Sequence, residues 1–213
     1  MKNKSQIRAM VLTGLLMAIV VIFCTTPIGS IPVGPLVITL NVIPVGIAAV
    51  ALGPVGGLII GTFFGILSFL QCFGIGVPSA MGAVLLEINP FFAFVQRVIP
   101  RALDGLIAGF IFRGVAKIAN SWISCFVTGF CTALLNTVLF MGALVLLFGN
   151  TDYIQELMAG KNVIVFIITF VGVNALVEMC TASIFTGAVG SALVAAKLIS
   201  IPEKKHKSQE ITE

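Results

Sequence analysis

Three charged residues lie inside an otherwise apolar stretch of the sequence, and they are the first candidates for chemistry: Arg97, Arg101 and Asp104. Their spacings of four and three residues place them on one face of a helix. A charge within lipid hydrocarbon costs about 2.5–3.5 kcal/mol, so such groups usually face a bundle interior or a pathway. Arg101 and Asp104 can pair, which leaves Arg97 the better candidate to bind an anion. The alternative is that Arg97 braces loop carbonyls.

Two later apolar stretches carry polar stripes with helical spacing. One contains Asn174, Glu178 and Thr181, and the other contains Thr128 and Asn136 with a threonine between them. Polar side chains within a membrane often only join two helices, and Glu178 can instead pair with an arginine. The convergence of three consecutive segments nevertheless predicts one polar pocket between them, with Gln71 and Asn89 at its rim. The predicted substrate-binding residues are therefore Arg97, Asn136, Asn174, Gln71, Arg101, Glu178, Asn89 and Thr132.

The composition indicates what kind of elements position these residues. Hydrophobic residues make up 59% of the 213-residue chain, charged residues make up 9%, and the mean hydropathy is +1.16. Ordinary soluble domains carry roughly 25% charged residues, so lipid is the solvent that this chain requires. Backbone polar groups in lipid must bond internally, and the long continuous apolar runs favour helices over a β-barrel. We therefore predict an all-α integral membrane protein.

Six transmembrane helices are predicted from these runs and from the Gly/Pro-rich breaks between them. The predicted spans cover 7–26, 41–52, 55–73, 91–117, 122–148 and 163–197. Residues 35–41 are expected to form an ordered loop or a short extended piece, and 74–90 and 149–162 are expected to be loops. Residues 1–200 thus form a single six-helix transmembrane domain with a solvated head at 1–6. Residues 201–213 form a short polar cytoplasmic tail.

The distribution of Lys and Arg predicts the orientation of these spans, because cytoplasmic loops are enriched in both residue types. With six spans both termini lie on one side, and that side carries Lys2, Lys4, Arg8, Arg113, Lys117, Lys197, Lys204, Lys205 and Lys207. The opposite side carries only Lys161, together with Glu87, Asp152 and Glu156. Both termini are therefore predicted to be cytoplasmic, and the loops at 27–40, 74–90 and 149–162 are predicted to be external.

Several activities lack their sequence motifs. The chain has no phosphate-binding loop of the GxxxxGK[ST] type and no HExxH or GxSxG motif, so any ATP-driven step needs a partner ATPase. The five cysteines form no CxxC motif, and neither a metal nor another cofactor is expected. The net charge of +4 follows the membrane topology and does not indicate nucleic-acid binding. The alternatives to a non-enzymatic transport subunit are a self-contained channel or small carrier and, with least support, a membrane enzyme.

The first predicted span carries small residues four apart, Ala9 with Thr13 and Gly14 with Ala18. Small side chains let another helix approach closely. The pattern indicates either packing within the chain or partner docking onto a separate membrane subunit.

Two segments resemble a known family. Residues 42–57 (VIPVGIAAVALGPVGG) with 61–69 (GTFFGILSF), and residues 99–109 (IPRALDGLIAG), are similar to S components, the substrate-binding subunits of energy-coupling factor (ECF) vitamin transporters. The similarity covers about residues 7–197. It implies a subunit that captures a vitamin outside, while a transmembrane coupling subunit and two cytosolic ATPase subunits drive it to topple and release the vitamin inside. It also implies a pocket built from helices four to six under the first and third external loops, and a docking motif on the first helix.

Within that family the chain is most similar to the pantothenate type. It has one Trp and one Tyr, whereas flat ring substrates favour aromatic stacking, although seventeen Phe are available for it. Pantothenate has no ring and carries a carboxylate, an amide and hydroxyls. Arg97 would bind the carboxylate, while Asn136, Asn174 and Gln71 would bind the amide and the hydroxyls. The alternative is another vitamin or precursor, such as hydroxymethylpyrimidine, pyridoxine, folate or riboflavin.

Overall fold

The computed structural model describes residues 2–33 and 36–199, with side chains over 6–31 and 37–199. The predicted tail at 201–213 lies outside these residues. The described elements are α1 (Lys2–Thr25), β1 (Ser30–Val33), β2 (Leu36–Thr39), α2 (Val42–Leu70), a 3₁₀ turn (Gln71–Phe73), α3 (Ala80–Ile88), α4 (Pro90–Val115), α5 (Ser121–Phe148), α6 (Asp152–Met158) and α7 (Val163–Ala195).

The second helix, α2, is two helical segments that meet at Gly53. This glycine has a φ of 74° and a ψ of −165°, which a residue with a side chain rarely adopts. Pro54 follows and has no N–H to continue the ladder, so a second segment starts there. We call residues 42–52 α2a and residues 54–70 α2b. The break falls at the Gly-Pro turn that the sequence predicts between its second and third spans.

Four apolar stretches among the described residues are long enough to cross a membrane: 6–25, 42–73, 121–148 and 163–195. The second of these contains both α2a and α2b. Helix α4 is 26 residues long, about 39 Å at 1.5 Å per residue, so it is also long enough to cross a membrane. It is not among the four apolar stretches, and it carries the charged residues Arg97, Arg101 and Asp104 in its middle. The chain is thus a predominantly helical, multi-pass membrane protein.

The predicted loops contain more secondary structure than the sequence indicates. Within residues 27–40, β2 matches the short extended piece expected at 35–41, and it pairs antiparallel with β1, where Ser30 is opposite Thr39. Residues 74–90 include α3, whose first turn is capped by Ser79, and residues 149–162 include α6. The head at 1–6 is helical rather than disordered from its second residue, because α1 begins at Lys2. These elements are too short to be detected as long apolar runs in the sequence.

Helices α2b and α4 are in backbone contact through glycines. A Cβ atom on Gly57 would overlap the backbone of Gly105, and one on Gly61 would overlap the carbonyl of Arg101. Glycines four apart let two membrane helices approach this closely. The packing fixes the position of the α4 backbone that carries both buried arginines.

The hairpin, α3 and α6 lie at one end of the bundle, which we call the hairpin end. There the side chains of Met81 from α3, Ile154 from α6 and Phe166 from α7 share one apolar cluster with the last turns of α5. At the opposite end, Val50 of α2a, Phe112 of α4 and the start of α5 form a second cluster. The short elements therefore cover only one end of the helices.

Helix α1 lies at the edge of the bundle and packs mainly on α2. Its small-residue face points outward: Ala9, Gly14 and Ala18 are exposed, and Thr13 is half-buried and donates to the Ala9 carbonyl at 2.8 Å. A Cβ on Gly14 would meet nothing within 4 Å in the described part of the chain. Among the described residues, no helix packs closely against this face.

Candidate substrate-binding site

A cavity opens at the hairpin end of the bundle, and its free space together with that of its open mouth is about 670 Å³. Its walls come from α2b, the hairpin, the start of α3, α4, α5 and α7. Six of the eight predicted substrate-binding residues line it: Gln71, Arg97, Arg101, Asn136, Asn174 and Glu178.

The other two predicted residues, Asn89 and Thr132, are not part of the cavity wall. Asn89 caps α4, since its Oδ1 accepts from the Phe92 N–H at 3.1 Å. Thr132 is fully buried, and its hydroxyl donates to the Thr128 carbonyl one turn earlier at 2.8 Å. An Asn before a helix and a Thr inside one often bond locally in this way. We therefore do not retain either residue as a ligand candidate.

Arg97 is 5% exposed and is held by hydroxyls rather than by an acid. Its Nη2 donates to Ser79 Oγ at 3.0 Å and its Nη1 to Ser68 Oγ at 3.5 Å. Its guanidinium carbon lies 5.2 Å from the ring centre of Phe140. Within the described residues, no hydrogen-bond partner reaches its Nε. Arg97 is thus a buried cation with a free donor at a cavity wall, which suits an incoming anion.

Arg101 lies between two aromatic rings. Its guanidinium carbon is 4.5 Å from the centre of Phe64 on α2b and 4.6 Å from that of Phe140 on α5. Its Nη1 donates to the Arg97 carbonyl at 2.9 Å, and its Nε has no partner among the residues described. A cation over a ring face is stabilised by about 0.5–2 kcal/mol. The stacking holds a second guanidinium beside the first.

The pair that helical spacing allows between Arg101 and Asp104 is absent from the described residues. No hydrogen bond or ion pair joins them in the described portion of the chain, and Asp104 does not line the cavity. Arg101 bonds the carbonyl one turn closer to the start of α4, whereas Asp104 lies nearly one turn further on. The guanidinium therefore points away from the carboxylate.

Glu178 of α7 forms a different part of the wall. Its Oε1 accepts from the Thr39 backbone N–H at 2.8 Å, which ties the hairpin to α7. Its Oε2 accepts from Asn136 Nδ2 at 3.5 Å. Asn174 lies one helical turn from Glu178 and is half-buried at the same cavity. Gln71 uses its Nε2 to donate to the Cys24 carbonyl at 2.9 Å, so this amide also fixes the end of α1.

The sequence reasoning missed several cavity residues. Ser68, Ser79, Phe64 and Phe140 contact the arginines, and none of them was predicted. Two signals could have found the first two. Phe64, Ser68 and Gln71 share one helical face at spacings of four and three, and Ser79 stands in a suitable position to cap a helix. The position of Phe140 depends on the packing of three helices, so no pattern within one helix could show it.

Comparison with known proteins shows the family of the chain. The family described as "ECF transporter, substrate-specific component" matches residues 8–190. The chain belongs to this family. It is also 30% identical over 203 residues to "Pantothenate transporter PanT" of Leuconostoc mesenteroides subsp. mesenteroides, covering 90% of this chain and 95% of the relative. The resemblance predicted from residues 42–69 and 99–109 is confirmed. As an ECF S component the chain is a membrane transport protein, and the family and the relative are transporters rather than enzymes.

Proposed function

We propose that this ECF S component binds pantothenate from outside the cell and serves as its uptake subunit. The observation that carries the proposal is the pair of buried arginines on one cavity wall, each with an unpartnered Nε within the described residues. Two buried cations with unpartnered donors suit a carboxylate ligand. The similarity to a protein named as a pantothenate transporter supports this choice among vitamins.

Arg97 is the carboxylate ligand in this proposal, because Ser68 and Ser79 hold its guanidinium without neutralising it. The amides of Asn136 and Asn174 face the same cavity and are available to the amide and hydroxyl groups of the vitamin. Gln71 is the weaker of the predicted amide ligands, because its Nε2 already binds the end of α1.

Transport would be driven by partners. The chain has no phosphate-binding loop, so we assign ATP hydrolysis to two cytosolic ATPase subunits and the transmission of force to a transmembrane coupling subunit. The outward face of α1, formed by Ala9, Thr13, Gly14 and Ala18, is the proposed contact with the coupling subunit. It is supported by the open space in front of Gly14 in the described part of the structure.

The proposed topology has six membrane helices in the cell membrane: α1, α2a, α2b, α4, α5 and α7. Exposed Arg8, Arg113 and Lys117 lie at the end of the bundle opposite the hairpin, whereas Glu87 and Glu156 are exposed near the hairpin end. The positive-inside rule then places both termini in the cytoplasm and the cavity on the external side. A vitamin could thus enter the cavity from outside.

Binding measurements on the purified chain in detergent test this function. We expect calorimetry to show pantothenate binding, and we expect Arg97→Gln to weaken it by about 10–100-fold, because hydrogen bonds to a charged group contribute about 1.5–3 kcal/mol. Pantothenol has an alcohol in place of the carboxylate, so the same substitution should change its affinity far less. Lys117→Gln, an exposed change at the other end, is the matched control.

Equal pantothenate affinity in Arg97→Gln and the parent would refute the carboxylate assignment. Mass spectrometry of the small molecule that copurifies with the chain separates pantothenate from the other vitamins. A different vitamin in that experiment would refute the proposed substrate, while leaving the family membership intact.

A further inference from the structure

Among the described residues that line the cavity, the buried side-chain atoms without a partner are sorted by type. Those on α4 are the Nε groups of Arg97 and Arg101, which are donors only. On α5 the unpartnered atom in that same set is Oδ1 of Asn136, which is an acceptor only. Glu178 of α7, next to Asn136, also offers only acceptors when ionised. We call these the donor wall and the acceptor wall.

The orientation of the Asn136 amide follows from its neighbour. An ionised carboxylate accepts hydrogen bonds and donates none, so the amide must turn its Nδ2 toward Glu178 Oε2, at 3.5 Å. Its Oδ1 is then left free, although the side chain is 6% exposed. A buried acceptor without a donor is unfavourable until a ligand supplies an O–H or N–H group.

Glu178 retains acceptor capacity as well. The structure gives its Oε1 one donor, the Thr39 N–H, and its Oε2 one donor, the Asn136 amide. A carboxylate has about four lone-pair sites, so each oxygen can accept one more hydrogen bond. Glu178 lines the cavity and is 5% exposed, so when it is ionised a ligand that enters there meets a poorly solvated negative charge.

We infer that Glu178 and Asn136 determine specificity for a ligand whose end remote from the carboxylate carries hydroxyl donors and no charge. The inference rests on the proposed function and deepens it. In pantothenate the hydroxyls lie at the opposite end from the carboxylate, so one molecule can satisfy both walls. A phosphate ester at the primary hydroxyl removes a donor and places an anion against Glu178. A methyl ether there removes the donor without adding charge.

Competition binding with three ligands tests this: pantothenate, its phosphate ester at the primary hydroxyl, and its methyl ether at the same oxygen. A site built to hydrogen-bond a hydroxyl can reject an analogue that lacks it by as much as about 10⁴-fold. We expect the parent to prefer pantothenate over the phosphate ester by at least about 100-fold. In Glu178→Gln this preference should fall by about tenfold or more, since the repelling charge is gone. Glu156→Gln, an exposed acid at the same end, should leave it unchanged.

Asn136→Ala separates the two members of the acceptor wall. It should reduce the preference for pantothenate over the methyl ether and leave the rejection of the phosphate ester largely in place. Each result is a ratio of two affinities measured on one variant, so a general loss of folded protein cancels. An unchanged phosphate-ester preference in Glu178→Gln, or an unchanged methyl-ether preference in Asn136→Ala, overturns the inference.

The result also distinguishes the inference from the proposed function. If the parent fails to bind pantothenate, the proposed substrate is wrong, and the acceptor wall is judged on the copurified ligand instead. A copurified ligand that carries an O–H or N–H donor remote from its acidic group supports the wall. A ligand without such a donor, or with a second anion there, refutes it.

Discussion

The glycine contact between α2b and α4 gives a prediction with a matched control inside the same chain. A Cβ on Gly61 would overlap the Arg101 carbonyl oxygen, a backbone atom that cannot rotate away. A Cβ on Gly142 of α5 would meet no described atom within 4 Å. Both glycines lie within helices, so Gly61→Ala and Gly142→Ala gain the same intrinsic helix propensity of about 0.8–1 kcal/mol. The difference between the two variants isolates the cost of separating the helices.

Overpacking of this kind costs about 1–3 kcal/mol, so Gly61→Ala should be less stable than Gly142→Ala by that amount. At about 2–4 °C per kcal/mol for a chain of this length, its Tm should be about 2–12 °C lower. The assay is thermal unfolding in detergent, followed with a thiol-reactive dye that reports on the buried Cys24, Cys72 and Cys125. Equal Tm values for the two variants would show that the helices are not in backbone contact. The position of the α4 backbone that carries both arginines would then not be fixed by this packing.

Two further predictions concern the site and the topology. Phe140→Leu should weaken pantothenate binding by about 2–30-fold, because a ring face over a cation contributes about 0.5–2 kcal/mol and this ring contacts both arginines. Phe130 lies on the exposed side of α5, so Phe130→Leu should bind pantothenate as the parent does. Calorimetry measures both affinities. A Glu156→Cys variant should react with a membrane-impermeant maleimide added to intact cells, after subtraction of the parent signal. Labelling only after the cells are opened would reverse the proposed orientation.

The long helices were predictable because their signal is local. The charge and apolar patterns place the helices to within a few residues, and the Gly53–Pro54 break follows from two residues whose backbone preferences are strong. The α4 arginines were also recognisable, since a charge in an apolar run needs an explanation. Polar residues in two other long helices gave the same kind of signal: five cavity residues lie on α4, α5 and α7, and Gln71 joins them from the turn after α2b.

What the sequence could not show depends on contacts between distant segments. Helical spacing makes Arg101 and Asp104 neighbours, but the rings of Phe64 and Phe140 and the Arg97 carbonyl decide where the guanidinium goes. Helix α6 is seven residues long and has no long apolar run that would predict it. It is held in place by Ile154, which is buried against other helices. Rotamers and short elements of this kind are set by tertiary packing.

The hydroxyl of Ser79 joins two parts of the molecule that would otherwise be separate. It accepts from the Gly82 N–H at 3.2 Å, which closes the first turn of α3, and from Arg97 Nη2 at 3.0 Å, which belongs to the proposed anion site. Occupancy of the guanidinium and the integrity of that first turn are therefore linked equilibria. The coupling is reciprocal. If a bound anion stabilises the turn, opening of the turn weakens anion binding by the same free energy, and if the anion destabilises the turn, opening strengthens binding equally. A nine-residue helix at the hairpin end is thus thermodynamically coupled to anion binding at a buried arginine.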